Sequence, residues 1–443
     1  MESRKVKAYP ALFVLLAFGI FLNIFPILSV IPASDTEFRL MSVIEGMRAS
    51  GISGIWETIN EGNIVENSYA LISMLLMDFS SRPESLFLLR FPTAIITAIL
   101  TLCLFRFDRT SETLGNSFIA ALVFMGCSYV EIMCILSQPV MISAVFVILS
   151  LVSLYHWMRL PKFRNTVLMI TASAVATFTT GTLSLILIMV LGAACMLVSG
   201  GKMRIRILYL FFSVMGTALI IFAVLFAVTG DASVPQSLLF NFTSLKAIEA
   251  EYNSNLIIFL YYIFMTIFPW SVLMLFSLPW AIKNRRTVYK NILGLTRIQK
   301  FGIYVFVVSL PLFFVYSQYS NALILASAFF NAPTVGKVLI WQFNHNPNAW
   351  KIIGGICSVF FGILTILFLL WNNGISVLGI AFERTYWSPW NVILVIAISI
   401  SIYTLTRNWR EVYRNHRFFF NLIILYLLMQ NLSVGYILPN ITF

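Results

Sequence analysis

Residues 10–31 read PALFVLLAFGIFLNIFPILSVI and contain no charged side chain. An α-helix needs roughly 17 to 25 apolar residues to cross the hydrocarbon core of a bilayer, so this run is long enough to span it. Because no small-residue cleavage site follows the run, we expect it to be retained as the first membrane span. The preceding Arg4, Lys5 and Lys7 are expected to hold the N-terminus in the cytoplasm.

The rest of the chain has the same apolar character. Hydrophobic residues make up 60% and charged residues 10% of its 443 positions, and the mean hydropathy is +0.91. A water-soluble domain carries about a quarter charged residues, so lipid must be the solvent for most of this chain. The apolar runs do not alternate as strands would, which predicts an all-α polytopic membrane protein.

About thirteen transmembrane helices are expected, in a single domain over residues 1–443 with no C-terminal soluble domain. The predicted spans lie near 9–31, 86–106, 116–136, 139–157, 166–180, 182–198, 207–228, 255–281, 301–318, 320–335, 352–371, 389–405 and 418–436. Residues 332–351 are predicted to form a cytoplasmic surface segment.

The positive-inside rule assigns a side to each segment between these spans. With thirteen spans, the basic residues fall on the cytoplasmic side, except for Arg39, Arg48, Arg82, Arg90, Lys246 and Arg384. The net charge of +12 is therefore explained by topology, and no nucleic-acid partner is expected. This pattern predicts a multi-pass protein of a bacterial cytoplasmic (inner) membrane, with a cytoplasmic N-terminus and a periplasmic C-terminus.

The first outward loop, residues 32–85, collects much of the acidic charge of the chain. Its acidic residues are Asp35, Glu37, Glu45, Glu57, Glu61, Glu66, Asp78 and Glu84. Within Thr36–Ser50 apolar residues recur at helical spacing, at Phe38, Met41, Ile44 and Met47. This spacing predicts an amphipathic helix at the membrane surface, ended by Gly51, and a second surface helix is predicted over Ser68–Phe79.

Two residues at the start of this loop are candidates for chemistry. Ser34-x-x-Glu37 fits a capping box, and Asp35 suits the first turn of a helix because of the helix dipole. In the functional interpretation, Asp35 or Glu37 is a carboxylate general base held above the bilayer by an amphipathic helix. The two interpretations are compatible, and the residues alone do not choose between them.

Glu131 is a third candidate because it falls inside a predicted span. An ionisable side chain there is costly and marks a functional site by default. The alternatives are a neutral, hydrogen-bonded glutamic acid and a partner for Arg90. All histidines (His156, His345 and His416) map to the cytoplasmic side, which argues against zinc at the outer face. An all-carboxylate site for a divalent cation stays open, but no pattern supports it, and no cofactor is expected.

Several short motifs occur in the order found in one enzyme family. They are Asp35-x-Glu37-x-Arg39 after the first span, Arg90-Phe91-Pro92-Thr93-Ala94 at the second, Thr179-Thr180-Gly181-Thr182, Phe268-Pro269-Trp270-Ser271, and Phe313-Phe314-Val315-Tyr316-Ser317-Gln318. Over roughly residues 1–320 the chain resembles the GT-C membrane glycosyltransferases. The similar branch contains the aminoarabinose transferase of lipid A and the protein O-mannosyltransferases.

The resemblance implies a transfer of sugar from a polyprenyl-phosphate donor to an acceptor at the outer membrane face. Asp35 would be the catalytic carboxylate, with Glu37 matching the following acid. Basic residues would bind the donor phosphate, and the outward candidates are Arg39, Arg90, Lys246 and Arg384. Arg384 lies in an aromatic-rich segment that also fits an interfacial belt.

The chain departs from the family where lysines are expected. Glu66 stands in the segment where the family often carries Tyr-x-Lys-Pro-Pro, and Gln318 and Thr180 occupy two further lysine positions. The soluble outer domain that many members carry after the last span is also not expected here. A catalytically inactive GT-C-like subunit, acting as a scaffold or a lipid-binding partner in a membrane complex, is therefore the alternative to an enzyme. A lipid-linked saccharide transporter would need more ionisable groups inside the spans than Glu131 alone.

Overall fold

The computed structural model describes the helical parts of the chain. They are residues 35–61, 64–82, 85–135, 137, 139–199, 203–230, 266, 268–275, 282–286, 294–315, 320–345, 347–372, 389–407 and 416–432, with the isolated positions 14, 15, 17 and 19. Within these ranges the regular structure is helical throughout, without strands. The all-α prediction is thereby confirmed for the described part of the chain.

The helices follow one another in the order below. They are α1 (Asp35–Glu61), α2 (Ile64–Phe79), α3 (Leu86–Asp108), α4 (Leu114–Met125), α5 (Ser128–Ile135), α6 (Val140–Arg159), α7 (Phe163–Thr180), α8 (Leu183–Ser199), α9 (Met203–Thr229), α10 (Trp270–Leu275), α11 (Arg297–Val315), α12 (Ser320–His345), α13 (Pro347–Asn372), α14 (Pro389–Arg407) and α15 (His416–Leu432).

Five of the described helices are long and apolar enough to cross a membrane. They are α3, α6, and the segments Arg206–Ala227 of α9, Asn321–His345 of α12 and Trp350–Leu370 of α13. The pair α4 and α5, bent by 61°, makes a sixth if it forms one broken span. The chain is therefore an α-helical multi-pass membrane protein, while the count of thirteen spans stays a prediction. Most of the predicted spans 9–31 and 255–281 lies outside the described residues.

The buried fraction of each apolar helix distinguishes one central helix from helices at the periphery. In α12, 78% of the apolar window is buried inside the protein, against 17% in α13 and 22% in α9. α12 packs against α11, α4 and α6, and its Phe329 and Phe330 are fully buried. α13 instead exposes an apolar stripe that fits lipid contact, formed by Ile352, Ile356, Val359, Ile363 and Ile366.

α12 also corrects the prediction for residues 332–351. The predicted span ends at 335 and gives way to a surface segment, but the helix continues to His345 and α13 begins at Pro347. Pro333 lies inside the helix without ending it. Packing on three neighbouring helices outweighs the local cost of the proline, as happens in membrane helices.

Helices are present at both of the predicted positions in the first outward loop, but with different bounds. Gly51 does not end α1, which continues to Glu61, and α2 begins at Ile64 rather than Ser68. A glycine costs a helix only about 1 kcal/mol, so it is not an obligatory stop. The face of α1 that packs inside the protein carries Leu40, Ile44 and Met47, while Phe38 is 65% exposed, and its predicted contact with the membrane surface stays a prediction.

Gly302 sets the distance between α11 and α12. A Cβ atom added at Gly302 would collide with the carbonyl oxygen of Phe330, a backbone atom that cannot rotate away. We expect Gly302→Ala to lower the free energy of unfolding by about 1–3 kcal/mol or more, because the two helices must separate. Gly216→Ala in α9 is the matched control, since nothing lies within 4 Å of its added Cβ. Equal unfolding midpoints for the two variants in detergent would contradict this packing.

Candidate functional site

A buried ion pair joins the start of α1 to α3. The Arg90 Nε lies 2.7 Å from Glu37 Oε1, and the Arg90 Nη2 lies 2.8 Å from Glu37 Oε2. The two side chains are 1% and 0% exposed. A planar guanidinium that meets both carboxylate oxygens gives a strong, directional contact. Glu37, and not Glu131, thus forms the ion pair of Arg90, which corrects one interpretation of Glu131.

Ser137, which follows α5, completes the surroundings of the Glu37 carboxylate. Its hydroxyl donates to Glu37 Oε1 over 2.9 Å, and its backbone N–H donates to the same oxygen over 3.2 Å. A carboxylate removed from water needs such donors as well as an opposite charge. Glu37 therefore connects α1 to α3 and to the chain beyond α5.

Two more buried hydroxyls surround the ion pair and bind backbone carbonyls. Tyr69 of α2 donates to the carbonyl of Leu89 over 2.5 Å. Thr93 lies within 2.6 Å of the Arg90 carbonyl and 2.9 Å of the Cys134 carbonyl. In the segment Arg90-Phe91-Pro92-Thr93-Ala94, both polar side chains thus make buried contacts that hold helices together.

Asp35 lies at the first position of α1, two residues before Glu37, and its side chain is exposed. The N-terminal end of a helix stabilises negative charge through the backbone dipole. Asp35 is therefore a carboxylate open to a ligand, on a helix whose first turn is fixed through Glu37. Ser34, the other half of the predicted capping box, lies outside the described residues.

Arg39 and Glu66 form a second, more exposed ion pair between α1 and α2. Arg39 Nε lies 3.1 Å from Glu66 Oε1, and the side chains are 64% and 18% exposed. An exposed pair of this kind contributes about 0–1 kcal/mol and opens easily to a competing anion. Lys246, Arg384 and Gln318, the remaining predicted phosphate-site positions, lie outside the described residues.

Glu131 lies on α5 and takes no part in the Glu37–Arg90 ion pair. Ser137, which contacts that pair, follows α5 in the chain. Its side chain is 7% exposed, and its Oε1 atom has no hydrogen-bond partner among the described residues. The structure thus brings together Glu37 and Arg90, places the exposed Asp35 two residues before Glu37 and Arg39 two residues after it on α1, and leaves Glu131 in separate surroundings.

Sequence reasoning missed Tyr69 and Ser137 as parts of the site. Tyr69 is the tyrosine among the fully buried hydrophobic residues of α2. The hydroxyl of a buried tyrosine usually forms a hydrogen bond. That signal was available in the sequence. The sequence around Ser137 gives no such signal, because the contact of Ser137 with Glu37 depends on a bend that places the end of α5 beside α1.

A second polar cluster joins the turn after α3 to α11 and α12. The Glu112 carboxylate accepts from Lys337 Nζ over 2.9 Å, from Gln299 Nε2 over 3.0 Å and from Asn116 Nδ2 over 2.8 Å. The charge pattern assigns Glu112, Lys337 and the start of α11 to the same membrane side, and the structure brings these segments together. Desolvation raises the pKa of Glu112, but the hydrogen bonds from Asn116 and Lys337 outweigh it and lower the pKa below 4.5.

The lowered pKa of Glu112 predicts a specific dependence of stability on pH. A carboxyl group with a depressed folded-state pKa stabilises the fold above its unfolded value of 4.5, and this contribution disappears as pH falls through the folded pKa. We expect Glu112→Gln to unfold more easily than wild type at pH 7, with a difference that shrinks below pH 4.5. Denaturant unfolding of both proteins at several pH values measures it. A difference that stays constant down to pH 3 would contradict the assignment.

Among the described residues, no group of three or more His, Cys, Asp or Glu side chains is placed to hold a metal ion. Comparisons with protein-family models, with curated proteins and with solved structures give no match to this chain. The resemblance to GT-C glycosyltransferases therefore rests on the short motifs. Two of these motifs, around Asp35 and Arg90, meet in space at the Glu37–Arg90 ion pair.

Proposed function

We propose that this protein is a glycosyltransferase that takes a sugar from a polyprenyl-phosphate donor at the outer face of a bacterial cytoplasmic membrane. The supporting observation is the arrangement at the start of α1. Asp35 offers an exposed carboxylate, and two residues further on Glu37 is fixed by a buried pair with Arg90. An exposed base on a rigid support is what acid–base catalysis requires.

Asp35 is the general base in this proposal. It accepts the proton of an acceptor hydroxyl as the oxygen attacks the anomeric carbon of the donor sugar. The bond between that carbon and the phosphate oxygen breaks, and the polyprenyl phosphate leaves with the electron pair. Arg39 stabilises the phosphate charge, because its exposed guanidinium can exchange Glu66 for a phosphate oxygen.

Glu37 and Arg90 act as positioning residues in this proposal. Both are buried, and the guanidinium is engaged by the Glu37 carboxylate. Binding a phosphate at Arg90 would leave Glu37 as a buried carboxylate without its cation, which is costly. Their task is to fix the first turn of α1, so that Asp35 faces the donor in one orientation.

The second candidate is a catalytically inactive subunit that binds lipid or assembles with other membrane proteins. The observation that favours it is the pairing of both described phosphate candidates with carboxylates, Arg39 with Glu66 and Arg90 with Glu37. A phosphate site that depends on cations then has to recruit them from elsewhere or open the Arg39 pair.

The test is turnover of a panel of polyprenyl-phosphate sugars by the purified full chain in nanodiscs, measured as released polyprenyl phosphate. We expect release with a donor of the correct sugar when membrane extract supplies the acceptor. Nanodiscs without the protein, with the same extract, serve as the blank for background hydrolysis. If no donor is turned over by folded protein even with the extract present, the scaffold function is favoured instead.

A further inference from the structure

The bend between α4 and α5 is held open by a segment from a distant part of the chain. The backbone N–H of Ser128 donates to the Phe268 carbonyl over 3.1 Å. The Trp270 indole N–H donates to the Val123 carbonyl over 2.8 Å. A Cβ atom added at Gly126 would lie 2.5 Å from Trp270 Cζ2, so the glycine is required for this approach. The bend is therefore a built feature, and it turns α5 toward α15.

α5 and α15 present polar side chains to each other across this bend. Ser128 and Glu131 are three residues apart on α5, and Tyr426 and Gln430 are four apart on α15, so each pair shares one helix face. Gln430 Nε2 donates to Ser128 Oγ over 3.2 Å. Tyr426 lies near Ser128 and within electrostatic range of Glu131. We call these four residues the α5–α15 cluster.

Two buried acceptor atoms of the α5–α15 cluster lack a hydrogen-bond partner among the described residues. They are Glu131 Oε1 and Gln430 Oε1. Each side chain is 7% exposed. Both atoms carry lone pairs and no proton when Glu131 is ionised, so the missing component is a cation or a hydrogen-bond donor. A buried ionised carboxylate without one would cost several kcal/mol.

We propose that the α5–α15 cluster binds a monovalent alkali cation, Na⁺ or K⁺. The Glu131 carboxylate and the Gln430 amide oxygen are its ligands, with the hydroxyls of Ser128 and Tyr426 completing an oxygen shell. Hard cations take oxygen ligands, and the single carboxylate balances one positive charge but not two. Broken helices in membranes supply cation sites of this general kind, because the bend exposes polar groups inside the bilayer.

A proton is the competing occupant of the Glu131 carboxylate. The titratable groups that face the cluster are Tyr426 of α15, Cys127 and Cys134 at the two ends of α5, and Cys357 of α13, which lies near Tyr426. No ion pair to Glu131 is formed by the basic residues that the structure describes. Protons and cations then compete for one carboxylate, and cation affinity is expected to weaken as pH falls.

The experiment measures the unfolding temperature of the full chain in detergent while NaCl or KCl replaces N-methylglucamine chloride at constant ionic strength. We expect a saturable rise for at least one alkali cation in wild type, and no rise in Glu131→Gln. Gln430→Met should weaken the cation affinity roughly tenfold, since one ligand is lost while the volume is kept. Glu112→Gln is the matched control, because it removes another glutamate whose side chain is largely buried, at 8% exposed, and which lies outside the cluster, so it should keep the full response.

Binding of ²²Na⁺ to the immobilised wild-type protein, competed by unlabelled NaCl and KCl, gives a second readout that needs no variant. Competition by either salt at millimolar concentration or below supports the site. The proposal is overturned if wild type shows neither a cation-specific rise nor competable binding, or if Glu131→Gln keeps the response. A Glu131→Gln protein that is as stable as wild type and equally indifferent to cations would identify Glu131 as a neutral, protonated acid.

Discussion

Arg90→Met is expected to lower the free energy of unfolding by about 3–5 kcal/mol, because it leaves Glu37 as a buried carboxylate without its cation. The wild-type pair is fully enclosed, with 1% and 0% of the side chains exposed, so water cannot replace the guanidinium. Ser137 still donates to Glu37, but two hydrogen bonds do not neutralise a charge. Denaturant unfolding in detergent micelles measures the loss.

Two further variants separate the charge effect from the loss of packing. Glu37→Gln combined with Arg90→Met removes both charges, and the double variant is expected to recover much of the stability. Arg48→Met is the matched control, since its pair with Asp78 is also short, at 2.7 Å, but is partly exposed, with side chains 28% and 50% accessible. It is expected to cost about 0–1 kcal/mol. An Arg90→Met loss no larger than that of Arg48→Met would refute the buried pair.

Asp35→Asn is expected to reduce the release of polyprenyl phosphate by roughly 10²–10⁴-fold, the usual contribution of a general base. The amide keeps the size of the side chain and loses its ability to accept a proton. Asp35 is exposed at the first position of α1, so the substitution is expected to leave the unfolding midpoint nearly unchanged. Initial rates at saturating donor, with the membrane extract as acceptor source, are the measurement.

Glu45→Gln is the control for Asp35→Asn because it removes an exposed carboxylate from the same helix. It should turn over the donor at the wild-type rate. Equal activity in wild type and Asp35→Asn would exclude Asp35 as the base while leaving a transferase function open. Loss of activity in both variants would indicate that the acidic surface of α1, rather than one carboxylate, supports the reaction.

The first outward loop shows which structural features a local sequence pattern predicts and which it does not. Apolar spacing predicted two helices between the first and second spans, and both are present. The same spacing gave no sign that Glu37, next to the 65% exposed Phe38, is fully buried. A periodicity rule excludes a charged residue from the buried face, and only knowledge of Arg90 across the interface could have put Glu37 there.

The sequence by itself determined the helical, multi-pass character of this protein, because lipid accepts long apolar runs only when the backbone bonds to itself. It also singled out Asp35, Glu37 and Arg90 as candidate site residues, and Glu131 as a costly charge inside a predicted span. Only the tertiary structure decided that Arg90 pairs with Glu37, that Ser137 supports the pair, and that Gln430 of α15 bonds to Ser128 of α5. Charge positions are local in the chain, but their partners come from helices that meet only after packing.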